Sequence, residues 1–215
     1  MMKSITRLKQ FEEIKEQLTS FDRLFIIGCG TCTTMTRTGG IDQVLEMKDR
    51  LQETGKRVSG WTVIPTACDE MTGVSMKENS RAIQDAGCIL AMTCALGVHR
   101  MGLYINHPVI PALDTLFIAV ENAPGYFTEV CAQCGQCLLG ETAGICPITA
   151  CHKQLVNGPC GGTNDGKCEV DKEKDCAWTL IYQRLKDQDR LDLMRKYHPP
   201  RNSQVLPRPR MVQIQ

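Results

Sequence analysis

The sequence predicts an α/β protein, in which an open, mostly parallel sheet precedes a cysteine-rich domain with a helix and an extended tail. Two observations lead to this fold class. Over the first ~120 residues, short apolar runs typical of buried parallel strands alternate with segments of helical spacing. Over residues 131–176, eight of the thirteen cysteines stand where few large apolar residues are found. That segment cannot build much core, so we expect bound metal to stabilise it.

Each element of the α/β part has its own signal. Apolar side chains at helical spacing predict a first helix over residues 4–19. Further helices are expected over 39–56 and 76–86. Between the last two predicted strands, a segment rich in Gly, His and Pro is expected to hold one weak helical turn. Short apolar runs predict four strands, at 24–28, 58–64, 88–92 and 115–120.

Four cysteines follow the first three predicted strands. Cys29 and Cys32 come after the first strand, Cys68 after the second and Cys94 after the third. Ligands of open α/β sheets bind outside the carboxyl ends of the strands, so we expect the four thiols at one edge. We interpret them as ligands of a [4Fe-4S] cluster. The alternative is that they are small buried residues in tight turns, as Cys88 is expected to be a core residue.

The cysteines of residues 131–176 have spacings typical of metal ligands. The first three form a CxxCxxC triplet, and the fourth is followed by Pro147, which is the usual end of an iron–sulfur run. The gap before this Cys-Pro pair is longer than in a bacterial ferredoxin. Eight thiolates allow two four-thiolate sites, and the sequence leaves open which cysteine belongs to which site. The expected ligands are Cys131, Cys134, Cys137, Cys146, Cys151, Cys160, Cys168 and Cys176.

Three kinds of site compete for these eight cysteines. The triplet and the Cys-Pro pair favour iron–sulfur clusters. Structural zinc is the alternative at one site, because paired thiolates also form closed tetrahedral sites. A disulfide framework is disfavoured, since the chain starts with a charged amphipathic segment rather than an export signal. We therefore expect a cytoplasmic protein with two to three [4Fe-4S] clusters, or with zinc at one of the sites.

Several function classes receive no support. A net charge of +1 gives no electrostatic support for nucleic-acid binding, and no apolar run is long enough to span a membrane. The pattern Gly28-Cys29-Gly30 resembles a dinucleotide fingerprint, but Thr33 stands where its third glycine is required. No catalytic triad, carboxylate pair or phosphate loop is found. We expect no active site on this chain alone.

The predicted domain organisation has three segments. Residues 1–125 form the α/β domain with one cluster, and residues 126–196 form the cysteine-rich iron–sulfur or zinc domain. After Cys176, apolar residues at helical spacing predict a helix that packs over this second domain. Residues 197–215 contain four prolines, which exclude a long helix. This tail is expected to be an extended arm that docks along a partner, or else a loose end.

The cysteine motifs carry a resemblance. The CxxCxxC triplet, GICPITACHKQLVNGPCGG, GKCEV and CAWTLIYQRLK together resemble the C-terminal, metal-binding domain of methylenetetrahydrofolate reductases. With GCGTC and TGG in the N-terminal half, the whole layout resembles the small, stand-alone MetV-type subunit of acetogenic and related anaerobic bacteria. That family domain is often described as zinc-binding.

The resemblance implies a function and partners. It implies an iron–sulfur electron-transfer subunit bound to a TIM-barrel flavoprotein, which alone holds FMN and reduces methylene- to methyl-tetrahydrofolate. Ferredoxin, a pyridine nucleotide acting through another subunit, or a heterodisulfide-reductase-like module would then be the electron donor. The alternative is a zinc-stabilised structural adaptor that docks the flavoprotein onto a larger redox complex. A role in redox-linked methyl transfer, such as activation of a corrinoid protein, also stays open.

Overall fold

The computed structural model describes residues 3–200 and 202. Its internal contacts divide the chain into two units, Met1–Phe127 and Thr128–Gln215. Secondary structure is concentrated in the first unit. The strands are β1 (Lys3–Leu8), β2 (Arg23–Cys29), β3 (Arg57–Ile64), β4 (Cys88–Met92), β5 (Val109–Pro111), β6 (Leu113–Ala123) and β7 (Tyr126–Glu129). The helices of this unit are α1 (Phe11–Gln17), α2 (Cys32–Met35), α3 (Ile41–Glu53), α4 (Met71–Glu78), α5 (Ser80–Gln84) and α6 (Ala95–Gly102).

A four-stranded parallel sheet in the order β3-β2-β4-β5 forms the centre of the first unit. β2, the first strand of this sheet along the chain, lies between β3 and β4. Near its carboxyl end, Gly28 is level with Val63 of β3 and Met92 of β4. The loops that follow these three strands therefore emerge at one edge, beside the point where the chain order reverses.

Helices cover both faces of this sheet, because side chains of β2 alternate between them. Leu24 and Ile26 belong to one core, with side chains from α1 and α3. Phe25 and Ile27 belong to the other, with side chains from α4, α5 and α6. All four strand residues are at most 1% exposed. The predicted α/β fold with a parallel sheet is confirmed.

The predicted helix over residues 4–19 is wrong in its first half. Residues 3–8 form β1, which pairs antiparallel with β6, and the helix is limited to α1. Apolar residues at every third position suit a helix, but the long strand β6 supplies a pairing partner that local spacing does not reveal. Together β1, β6 and β7 form a separate three-stranded sheet.

The predicted fourth strand, 115–120, lies within β6 and therefore does not belong to the parallel sheet. The three-residue strand β5 takes that place, with Ile89 opposite Val109. The segment expected to hold one weak turn contains the eight-residue helix α6. The helix predicted over 76–86 begins earlier, at Met71, and is interrupted at Asn79, whose side-chain amide donates to the Ser75 carbonyl at 2.8 Å.

The second unit has little regular structure and a small core. Its elements are α7 (Pro147–Ala150), α8 (Ala177–Asp187) and a 3-10 helix, Leu191–Arg195. Trp178, Ile181 and Leu185 of α8 are its buried apolar cluster, and the Trp178 indole N–H donates to the Leu155 carbonyl at 2.9 Å. The predicted helix after Cys176 is thus found, but ends at Asp187.

Most of the predicted tail over 197–215 lies outside the described residues, so its conformation stays a prediction. Among the helices of the described part of the chain, none combines the length and apolar character needed to cross a membrane.

Candidate metal centres

Four cysteines stand on the loops that follow β2, β3 and β4, and we call them the sheet-edge group: Cys29, Cys32, Cys68 and Cys94. Cys29 ends β2, and Cys32 begins α2. Cys68 lies in the turn between β3 and α4, and Cys94 is the N-terminal cap residue of α6. The parallel arrangement of the three strands thus brings the four residues to one edge of the sheet.

The thiols of the sheet-edge group lie within electrostatic range of one another but differ in exposure. The pKa of Cys68 is raised, first by partial burial and then by the charges of Cys94, Cys29 and Cys32. Cys29 and Cys94 are only 6% and 7% exposed, Cys32 is half-buried and Cys68 is exposed. The group therefore has a buried interior and one thiol that faces solvent.

Threonine hydroxyls fix the backbone of the first sheet-edge loop. Thr33 and Thr34 both donate to the Cys29 carbonyl, at 3.0 and 2.7 Å, and Thr36 donates to the Cys32 carbonyl at 2.9 Å. These bonds satisfy buried carbonyl groups, and none of them uses a thiol sulfur. The local sequence thus holds the loop while the sulfurs stay available as ligands.

The cysteines of the second unit separate into two sets of four. The first loop group, Cys131, Cys134, Cys137 and Cys146, lines a cavity of about 220 Å³. Most of the other side chains around this cavity are apolar, among them Val130, Leu138, Leu139 and Ile148. Thiols beside apolar side chains are the kind of setting in which iron–sulfur clusters are held, and two of these thiols, Cys131 and Cys137, are exposed to solvent.

Tight turns shape the backbone of the CxxCxxC triplet. Gln133 and Gly135, which flank Cys134, have left-handed backbones with φ of 53° and 74°. The Gln133 N–H donates to the Cys131 sulfur at 3.3 Å. Hydrogen bonds from backbone N–H groups to ligand sulfurs are one means by which proteins tune a cluster. After the fourth ligand, Pro147 begins α7.

The second loop group, Cys151, Cys160, Cys168 and Cys176, surrounds a much smaller cavity of about 20 Å³. A single water needs roughly 10–15 Å³ on the same measure, so the space suits one ion. Cys176 is the cap residue of α8. Burial opposes ionisation of its thiol, but hydrogen bonds from Thr179, Trp178 and Thr163 together hold the pKa below its usual value.

In the structure, the eight cysteines of the second unit divide after Cys146 between two cavities. The first four in the chain form one group and the last four form the other. The Cys146-Pro147 pair is the signal that could have indicated this boundary, because proline usually follows the last ligand of an iron–sulfur run.

The thiols are neighbours but are not already arranged as coordination spheres. Within residues 3–200 and 202, no three His, Cys, Asp or Glu side chains are placed so that they could hold a metal ion as they stand. All thirteen cysteines, each within the described residues, are free of disulfides. Four thiols in each group match the ligand number of both a [4Fe-4S] cluster and a closed zinc site, and ligand arrangement is commonly coupled to metal binding.

Cys88 and the histidines lie outside these groups. Cys88 is fully buried in the first core, and burial raises its pKa to about 11, as expected for a core thiol. His152 faces Asp171, with Nε2 and Oδ2 3.8 Å apart, and His198 faces Glu141, with Nε2 and Oε2 3.3 Å apart. Both histidines therefore pair with carboxylates.

Comparison with known proteins connects the first and second loop groups to a family. Residues 110–204 match a family model described as methylene-tetrahydrofolate reductase C terminal, and this range contains all eight cysteines of the two loop groups. Comparisons with curated proteins and with solved structures give no match. The family resemblance predicted from the cysteine motifs is confirmed. Over residues 110–204, which is less than half of its length, the chain is similar to the methylene-tetrahydrofolate reductase C-terminal family.

Proposed function

We propose that this chain is the iron–sulfur electron-transfer subunit of a methylenetetrahydrofolate reductase complex. Its partner would be a TIM-barrel flavoprotein whose FMN receives the electrons and reduces methylene- to methyl-tetrahydrofolate. The observation that carries the proposal is the grouping of twelve of the thirteen free cysteines into three sets of four. The family match over residues 110–204 supports the choice of complex.

The cavity sizes support different metals in the two loop groups. The first loop group surrounds about 220 Å³, which has room for a four-iron cube, whereas the second surrounds about 20 Å³, which suits one ion. We assign a [4Fe-4S] cluster to the first loop group and zinc to the second. The sheet-edge group takes a second [4Fe-4S] cluster, because its four ligands are all thiols at the ligand-binding edge.

The residues of this chain would hold the redox centres and control their exposure. Clusters supply one-electron transfer when bound, and the protein sets their potential through burial and hydrogen bonds. Around the first loop group, apolar side chains form part of the cavity lining, and the Gln133 N–H would stabilise charge on the Cys131 sulfur. In the sheet-edge group, Cys29 and Cys94 are shielded while Cys68 faces solvent, where an electron donor or acceptor could approach.

The adaptor role is the second candidate, and the small cavity of the second loop group favours it. A closed four-thiolate zinc site stabilises structure without redox chemistry. If all the metal were zinc, the chain would only dock the flavoprotein onto another redox protein. Metal content separates the two functions.

The test is metal analysis of the protein purified under strictly anaerobic conditions. We expect about eight irons and one zinc per chain, with a broad absorbance near 400 nm that dithionite bleaches. Addition of the reduced protein to the oxidised flavoprotein subunit should then reduce FMN. Zinc alone, in a colourless protein, would refute the electron-transfer role and leave the adaptor.

A further inference from the structure

The second loop group has to be held together by something other than a large core. Three of its ligands, Cys151, Cys160 and Cys168, lie on segments without strands, apart from isolated bridges next to Cys168. The apolar cluster of this unit is centred on α8, which follows the fourth ligand. Cys151 packs against this cluster, and contacts between the ligand segments add to what positions the ligands.

One ion pair connects two of these segments. Lys153 is two residues after Cys151, Glu169 directly follows Cys168, and the Lys153 ammonium donates a hydrogen bond to the Glu169 carboxylate. Both side chains line the same small cavity as the ligands. They are 41% and 34% exposed, and an isolated pair at such exposure contributes little to stability. Its consequence here is positional, because each partner lies one or two residues from a ligand.

The third segment enters the same arrangement through a glycine. Gly162 is two residues after Cys160, and a Cβ atom added there would overlap the Glu169 carboxylate. The carboxylate therefore lies directly against the backbone of the Cys160 segment. A side chain at position 162 would require the Glu169 carboxylate to move from its place against this backbone.

The charges around the site distinguish Lys153 from the other nearby cations. Lys174 and His152 both face Asp171, at 3.5 and 3.8 Å, and Lys167 pairs with Asp175 at 2.6 Å. Glu169 lines the same cavity, so its pair with Lys153 is neutral overall and acts on the four thiolates through position rather than through net charge. Of these cations, Lys153 is the one that lines the cavity.

We propose that Lys153 and Glu169, seated on Gly162, form a brace that positions Cys151, Cys160 and Cys168 and controls how firmly the second loop group retains its metal. The brace rests on the proposed assignment of metal to this group. None of its three residues is itself a ligand. They act through the ligand segments.

The experiment measures zinc release from the full-length, anaerobically purified protein to the chromogenic chelator 4-(2-pyridylazo)resorcinol. The variants are Lys153→Met, Glu169→Gln, Gly162→Ala and the double variant Lys153→Met/Glu169→Gln. A partly exposed ion pair makes a modest contribution, so each single variant should release zinc about two- to fivefold faster than the wild type. The double variant should release it no faster than the faster single variant, since one interaction is removed in each case.

The matched control is Lys196→Met, which removes a Lys–Glu pair of the same unit, that of Lys196 with Glu141, whose partners are 56% and 28% exposed. It should release zinc at the wild-type rate, and all variants should keep the wild-type iron content, which reports that the rest of the chain is folded. Wild-type release rates in Lys153→Met and Glu169→Gln would overturn the brace alone. A wild-type protein without any ion in this group would overturn the metal assignment and the brace together.

Discussion

At the scale of single residues, environment rather than residue type separates the thirteen thiols into different roles. Cys88 and Cys94 both adjoin the buried strand β4, one at its start and the other just beyond its end. Cys88 is sealed within a core of apolar side chains, whereas Cys94 lies at the edge that carries three further cysteines. Only the second environment brings several thiols together, as the proposed cluster requires.

Alanine variants of Cys68 and Cys88 test this distinction. Cys68→Ala removes one of four proposed ligands, so the iron content should fall, by up to about four per chain if the cluster is lost entirely. Cys88→Ala makes the same substitution in the same unit but at a core thiol. It should therefore keep the wild-type iron content and the absorbance near 400 nm. Equal iron in Cys68→Ala and the wild type would exclude Cys68 as a ligand.

The raised pKa of Cys88 makes a pH-dependent contribution to stability. In the unfolded chain this thiol ionises near its usual 9.0, whereas in the folded protein it stays protonated up to about pH 11. Between these values the unfolded state binds fewer protons, so the free energy of unfolding should fall by about 1.4 kcal/mol per pH unit. Below pH 9 both states are protonated and the thiol adds no pH dependence.

Urea unfolding of wild type and Cys88→Ala under reducing, anaerobic conditions measures this contribution. The difference between the two free energies of unfolding should be constant from pH 7 to about 8.5 and then change in favour of the variant up to about pH 11. All other thiols are common to both proteins and cancel. Parallel pH profiles would show that Cys88 ionises equally in both states.

At the scale of secondary structure, strong local patterns were sufficient for the central elements and insufficient for the flanking ones. The apolar run of β2 and the helical spacing of α3 were predicted within a few residues, because each buries a continuous apolar surface. β1 was predicted as a helix because its strand depends on pairing with β6, more than 100 residues later. Such long-range pairing leaves no signal in a short window of sequence.

The same limit applies to the candidate sites. The sheet-edge group could be predicted, since strand order alone brings three loops together. The division of the eight later cysteines has one sequence signal, the Cys146-Pro147 pair, and otherwise depends on irregular loops such as the left-handed turn at Gln133. The brace at Gly162 depends on the carboxylate that contacts it, which only coordinates reveal.

Two adjacent residues of helix α8, one buried and one exposed, allow a test of the small core in the second unit. Ile181 is fully buried while Leu180 is 44% exposed. Ile181→Ala should destabilise this unit by about 2–5 kcal/mol, since it removes a large part of a small apolar cluster. Leu180→Ala should change stability by less than about 0.5 kcal/mol. Amide hydrogen exchange measures both, and equal protection of α8 in the two variants would contradict the assignment of its buried face.

At the scale of the whole molecule, the two units differ in what stabilises them. The first has apolar cores on both faces of its sheet, as expected of a domain that folds from its own side chains. The second has one small cluster on α8 and two groups of four thiols within irregular loops. Metal would therefore be a condition of folding for the second unit and an addition to an already stable fold in the first.

Metal removal should separate the two units in a single experiment. After treatment with a strong chelator under reducing conditions, residues 128–200 should lose protection and be cut by a protease at low concentration, because their loops lack another source of stability. A fragment that ends near Phe127 should persist, since its cores do not depend on thiolates. The metal-loaded chain, digested in parallel, should resist cleavage in both units. Rapid digestion of the N-terminal fragment after chelation would show instead that the sheet-edge group is also required for folding, and equal resistance of both units would show that metal stabilises neither.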